Sequence, residues 1–166
     1  MIRVGTGVVI RGAGLQQRLL LTQRGTRSDF PFAWESPGGK LDEDESVLEG
    51  ICRELREEVN LAATFRSDDP LWANQRHDAT TWSAITPEPL YEHRFAPGEA
   101  GPVAVAITFH IVRPPDAWTP RASDPNVMGL GWFTWEEMGR VSFMPGNVKL
   151  YEAWKRGDLT DGSVYW

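Results

Sequence analysis

The sequence predicts a single α/β domain over residues 1–166, built as a mixed β-sheet with helices on its faces. Three observations predict it. First, 166 residues with 41% apolar content match the size and composition of one domain with its own core. Second, Val-, Ile- and Leu-rich runs of strand length interleave with a segment whose apolar residues recur every three or four positions and with a second helical segment near residue 150. Third, these segments do not follow a regular strand–helix–strand rhythm, which argues against a doubly wound parallel sheet.

The elements follow in order. Residues 2–11 and the run Arg18–Arg24 read as neighbouring strands or a hairpin, separated by the turn-forming Gly12-Ala13-Gly14. Gly5-x-Gly7 is no dinucleotide fingerprint, because neither a third glycine nor a helical pattern follows it. Leu48, Ile51, Cys52, Leu55 and Val59 form the apolar face of a helix running from about Ser46 to about Asn60. Ser46 with Glu49 makes a capping box, and Asn60 tolerates the left-handed conformation common just past a helix end. Strands are expected near 80–86, 89–95 and 103–113, and Pro114–Pro125 reads as a loop. A short strand at Gly131–Thr134 precedes an acidic helix start, and a final helix covers about Asn147 to Arg156.

Composition narrows the function. A formal charge of −6 and a pI near 5.1 remove the basic field that a nucleic-acid polymer normally requires. Divalent cations or a few local Arg and Lys side chains still allow a small polyphosphate ligand. No segment approaches membrane-spanning length and the N-terminus lacks a secretory pattern, so the expectation is a soluble, cytoplasmic protein with no membrane partner. The single Cys52 reads as a small core residue, and His77, His93 and His110 share no ligand or triad spacing. If the strand at 89–95 faces the pocket, His93 lines it.

The chemistry concentrates on the helix. Glu54, Glu57 and Glu58 fall within roughly 100° of its circumference and flank its apolar stripe, a position suited to a pocket rim. Their mutual repulsion needs an offset. Arg53 is one, through i,i+4 pairs with Glu49 and Glu57. The remaining oxygens suit Mg²⁺ or Mn²⁺ rather than zinc, because no His or Cys accompanies them. A solvated Glu/Arg face would explain the helix alone, but the upstream Pro37-Gly38-Gly39 adds close backbone approach and a further carbonyl oxygen.

The pattern Gly39, five residues, Glu45, seven residues, then Arg53-Glu54-Leu55-Arg56-Glu57-Glu58-Val59-Asn60-Leu61 resembles the Nudix box. Asn60 stands where the box has its final glycine, and Asp44 where many members have a glycine. The resemblance implies a Nudix-type α/β/α sandwich that hydrolyses a diphosphate bond. It also implies that Glu54, Glu57 and Glu58 with the Gly38 carbonyl bind metal, and that Glu45 and Arg53 organise them. The general base is open among Glu54, Glu57 and Asp124. Arg24 and Lys40 are the candidates for holding phosphate oxygens.

Trp34-Glu35-x-Pro37-Gly38-Gly39-Lys40 resembles the lead-in of the MutT-like branch, which implies a nucleoside triphosphate, oxidised or not, cleaved to monophosphate and pyrophosphate. Phe143-Met144-Pro145-Gly146-Asn147 is similar to a segment that would make Asn147 a reader of the base, although a helix N-cap accounts for Asn147 equally well. The stretch between residues 62 and 90 leaves a nucleoside diphosphate sugar such as ADP-ribose as the alternative. A non-catalytic nucleotide-binding module is a third reading, disfavoured because every box glutamate is retained. Many members of the family form homodimers, so a homodimer is an expected partner arrangement.

Overall fold

The computed structural model describes residues 1–64 and 83–165. Strand β1 (Ile2–Arg11) is the central strand. It runs parallel to β8 (Val105–Arg113) from Ile2↔Val105 to Val9↔Val112, and its last two residues pair antiparallel with the start of β2 (Arg18–Arg24). On the edge opposite β8, the same edge that meets β2, Val4–Thr6 pair antiparallel with the short β4 (Gly38–Lys40). β2 continues between β3 (Trp34–Glu35) and β9 (Val127–Phe133), both antiparallel to it. The far edge of β8 carries β7 (Tyr91–Phe95) and β6 (Ser83–Ile85), and β6 pairs in turn with β5 (Ala63–Thr64). Parallel and antiparallel pairs coexist, so the sheet is mixed as expected.

Among the described residues, three α-helices cover it: α1 (Val47–Val59), α2 (Trp135–Met138) and α3 (Pro145–Arg156). The period-2 alternation of a strand sends neighbouring side chains to opposite faces. Val8, Ile10, Leu19 and Leu21 pack with Trp135 and Met138 of α2 and with Leu150 and Ala153 of α3. Val9, Leu20 and Val112 pack on the opposite face with Ile51, Leu55 and Val59 of α1. Two cores on two faces make an α/β/α sandwich. Cys52 packs half-buried at the edge of the second core. No helix among the described residues is long and apolar enough to cross a membrane.

The sequence reading of α1 holds in detail. Ser46 accepts from the Glu49 amide while the Glu49 carboxylate accepts from the Ser46 amide, which satisfies two otherwise orphaned donors. Asn60 ends the helix in the left-handed region, at φ 58 and ψ 39. Because glycine adopts that conformation without a Cβ penalty, Asn60→Gly is expected to change stability by only a few tenths of a kcal/mol and leave activity unaltered. Urea unfolding beside a rate assay checks this, and a loss above about 1 kcal/mol would mean that the Asn60 side chain has a further task.

Two expectations need correction. The strand expected at Gly131–Thr134 begins at Val127 and ends at Phe133, because β2 supplies a partner along its whole length. Gly129 interrupts the sequence signal of its first half, glycine being a weak strand former. Thr134 instead caps α2 through a second capping box with Glu137. The last helix starts at Pro145 with Met144 as its N-cap, so Asn147 lies inside the helix and is not the cap. The strand expected near 80–86 is seen as Ser83–Ile85, while its first residues, His77 and most of the 62–90 stretch lie outside the described residues.

Candidate active site

The glycines that precede α1 place a strand against its carboxylates. Gly38 lies opposite Thr6, where a Cβ would collide with the Gly5 carbonyl and the Thr6 Cα. A Cβ on Gly39 would enter the carboxylate of Glu54. Bonds from Gly7 N–H to the Pro37 carbonyl and from Leu41 N–H to the Arg3 carbonyl make Gly5 and Gly39 the hydrogen-bonded pair of this ladder. The carbonyl of Gly38 therefore points away from β1, and Gly38 lines the cavity described below.

Arg53 organises the acidic side chains. Its guanidinium donates to both oxygens of Glu45, Nε at 2.7 Å and Nη2 at 2.9 Å, in a bidentate fork. Nη1 donates to Glu54 at 2.9 Å and to Glu57 at 3.3 Å, and Nη2 reaches the Lys40 carbonyl at 3.1 Å. The hydrogen bonds from Arg53 hold the Glu45 carboxyl below the usual range, and Glu45 and Glu54 in turn make Arg53 hold its proton more tightly. Gly50 leaves room for Glu45 and for the Leu41 side chain beside the helix.

A cavity of about 750 Å³ opens beside this cluster. Its wall includes Gly38, Glu54, Glu58, Asp124, Arg24, Lys40 and Asn147 from the sequence reading. Apolar side chains, among them Phe30, Phe95, Val103 and Ile107, line another part of it. Arg53 and Glu57 are not part of the wall: Arg53 stands behind Glu54, and the Glu57 side chain is 55% exposed. His93 is not part of it either and packs edge-on against Phe95. His110 is buried, with Nδ1 2.8 Å from the Thr86 carbonyl.

Two carboxylates of the wall, Asp29 and Glu35, are not among the site residues expected from the sequence. Glu35 enters from β3, 3.8 Å from Arg24, and the only signal for it was its place within the Trp34-to-Lys40 segment. Burial, countered by Arg24 and reinforced by Glu54, raises its pKa to about 7. Glu58 is pushed well above the usual glutamate value, first by burial and then by the charges of Glu35 and Glu54. Arg24 also donates to the Met144 sulfur at 3.2 Å. Asn147 is buried, accepting from the Ser36 amide at 3.3 Å and donating to the Ser36 hydroxyl at 3.0 Å. Backbone bonds from Trp34 N–H to the Ser142 carbonyl and from Met144 N–H to the Trp34 carbonyl bring its segment to β3.

Among the described residues, no group of three or more His, Cys, Asp or Glu side chains is arranged to hold a metal ion. The donor chemistry nevertheless suits one. Glu54 and Glu58 repel each other in a partly dry site, Gly38 lines the same cavity, and carboxylate and carbonyl oxygens are hard donors. A divalent cation would relieve that crowding.

The raised carboxyls set a pH dependence. Because the folded values of Glu35 and Glu58 lie above the ordinary 4.5, their contribution to stability is complete below that value and lost as pH rises through about 7 and beyond. In a chelator, Tm should fall between about pH 5 and about pH 9, and less steeply in Glu58→Gln. Calorimetry checks this, and a Tm that rises over that range would contradict the burial of these groups.

Fold and site together define an α/β/α domain in which a glycine-rich strand and a glutamate-bearing helix share one cavity. The family model described as the NUDIX domain matches residues 1–154, and the chain belongs to that family. The CTP pyrophosphohydrolase of Escherichia coli (strain K12) is 41% identical over 64 residues, 39% of this chain and 44% of that protein. An 8-oxo-dGTP diphosphatase of Haemophilus influenzae is 36% identical over 63 residues, 38% of this chain and 44% of that protein. The matched segments thus span less than half of either relative. The solution structure of the E. coli ORF135 protein superposes with a TM-score of 0.62 at 27% identity, covering 94% of this chain and 89% of that one. The NUDIX domain of Shewanella oneidensis NrtR complexed with ADP ribose superposes with a TM-score of 0.66 at 17% identity, covering 95% and 88%, and shows the shared fold.

Proposed function

We propose that this chain hydrolyses a diphosphate bond in a nucleotide with the help of Mg²⁺ or Mn²⁺, its substrate being a nucleoside triphosphate that yields the monophosphate and pyrophosphate. The observation that carries the reading is the meeting, across one cavity, of an Arg53-braced carboxylate cluster and the cations Arg24 and Lys40. The names of the CTP- and 8-oxo-dGTP-cleaving relatives support it. In this reading Glu54, Glu57, Glu58 and the Gly38 carbonyl would hold the metal. When bound, it neutralises charge on the phosphate oxygens and lowers the pKa of the attacking water.

The protein's own groups do the rest. Arg24 and Lys40 bind phosphate oxygens and orient the chain of phosphates. Water oxygen bonds to one phosphorus as the bridging P–O bond breaks. A carboxylate, Glu54, Glu57 or Asp124, takes the water proton, and Asp124 has the advantage of facing the cavity without an Arg53 bond. Glu57 reaches a cation only by turning from Arg53, which its exposure makes inexpensive. Asn147 spends two bonds on Ser36 and retains one N–H and one lone pair for a base edge.

The test is a panel of nucleoside triphosphates, oxidised nucleotides and diphosphate sugars assayed with Mg²⁺, with products identified. Monophosphate plus pyrophosphate from a triphosphate is the expected result. Preferred cleavage of ADP-ribose would replace the substrate class, and tight binding without turnover of any member would sink the enzymatic reading.

A further inference from the structure

We propose that Ser123 is a positioning residue that fastens Asp124 to the carboxylate helix, and that the segment 115–123 acts as a fixed strap for this purpose. The proposal rests on the hydrolytic reading above and on a pattern of hydrogen bonds at the C-terminal end of α1. A helix leaves its last four carbonyls without intrahelical partners. Here one loop supplies donors to three of them. The Ser123 hydroxyl donates to the Glu57 carbonyl at 2.6 Å and lies 3.4 Å from that of Arg56. The Ser123 amide donates to Glu58 at 3.0 Å, and the Arg121 amide to Val59 at 3.3 Å. The Trp118 indole then takes the next carbonyl, that of Asn60, at 3.2 Å.

The start of the strap is held separately. The Arg11 guanidinium, at the end of β1, lies 5.6 Å from the Trp118 ring centre and 4.8 Å from that of Trp132, and donates to the carbonyls of Pro115, Asp116 and Trp118. Asp124 follows directly and closes a turn, its side chain accepting from the Asn126 amide at 2.8 Å and its carbonyl from the Val127 amide at 3.0 Å. Its backbone is therefore registered to the same turn of helix that presents Glu57 and Glu58. A loop held only by β9 would leave the distance between Asp124 and the helix carboxylates free to vary. The strap removes that freedom, because moving Asp124 would uncap α1.

The experiment combines Ser123→Ala, Ser123→Thr, Asp124→Asn and the Ser123→Ala/Asp124→Asn double variant, with rates measured on the best substrate of the panel and amide hydrogen exchange measured on each protein. Ser123→Ala is expected to lower kcat about tenfold with KM nearly unchanged. Ser123→Thr should restore the rate, and Ser123→Ala should add no further loss to Asp124→Asn. Exchange at residues 121–127 should quicken in Ser123→Ala while that of the buried turn around Ile51 stays slow. An equal loss from Ser123→Ala in both backgrounds, failure of Thr to restore, or unchanged exchange would each overturn the proposal. A wild-type rate in Asp124→Asn would also overturn it while leaving the hydrolase reading intact. Absence of turnover by the wild-type chain would instead sink the hydrolase reading, and the exchange result alone would then decide whether Ser123 holds the strap.

Discussion

Glu57→Gln is expected to lower kcat on the order of 10³-fold while leaving the fold intact. The side chain is 55% exposed and its ion pair with Arg53 is a surface contact, so Tm should move by no more than about 2 °C. The loss in rate follows from the role proposed for this carboxylate: the amide is isosteric but brings no charge to a divalent cation and cannot accept a proton as readily. Initial rates beside a thermal melt measure both quantities. A variant that turns over near the wild-type rate would place the chemistry elsewhere, and the cavity wall offers Glu54, Glu58 and Asp124 as the groups to replace next.

The second large effect is expected from Arg53→Lys. A lysine retains the positive charge but is a point donor, whereas Arg53 spreads five contacts over Glu45, Glu54, Glu57 and the Lys40 carbonyl. The fork on Glu45 and the bond to Glu54 cannot both survive. Stability should fall by about 2 kcal/mol, since part-buried carboxylates lose charge-assisted bonds. Turnover should fall about 10- to 100-fold, because Glu54 loses the bond that fixes its rotamer. Urea unfolding and kcat/KM test the two halves separately. Loss of stability with unchanged turnover would show that Arg53 serves the fold alone.

Legibility in the sequence follows the range of the interactions involved. Helix α1 could be read almost to the residue because what specifies it is local: Ser46 and Glu49 cap each other across three residues, the apolar stripe repeats within the helix, and Asn60 ends it by its own backbone preference. The carboxylates and Arg53 share that helix, so their common edge was readable with it. Strands β3 and β4, two and three residues long, carry no periodicity and exist because β2 and β1 supply partners. Strand β9 extends beyond its sequence signal for the same reason, with Gln23 and Trp34 beside Gly129 and the Phe133 ring beside Gly131.

By itself, then, the chain's order of residues determined the class of fold, the helix bearing Glu54, Glu57 and Glu58, and the arginine that braces them, because capping, periodicity and i,i+4 pairing act within a few residues. Only the tertiary structure decided that Glu35 joins Glu54 and Glu58, that Asn147 meets Ser36 across 111 positions, and that Ser123, next to Asp124, bonds the end of α1. Those meetings depend on which strands pair and which loop caps which helix. Long-range choices of that kind are settled by burying the sheet's two faces and satisfying its backbone, and they leave no repeating mark along the chain.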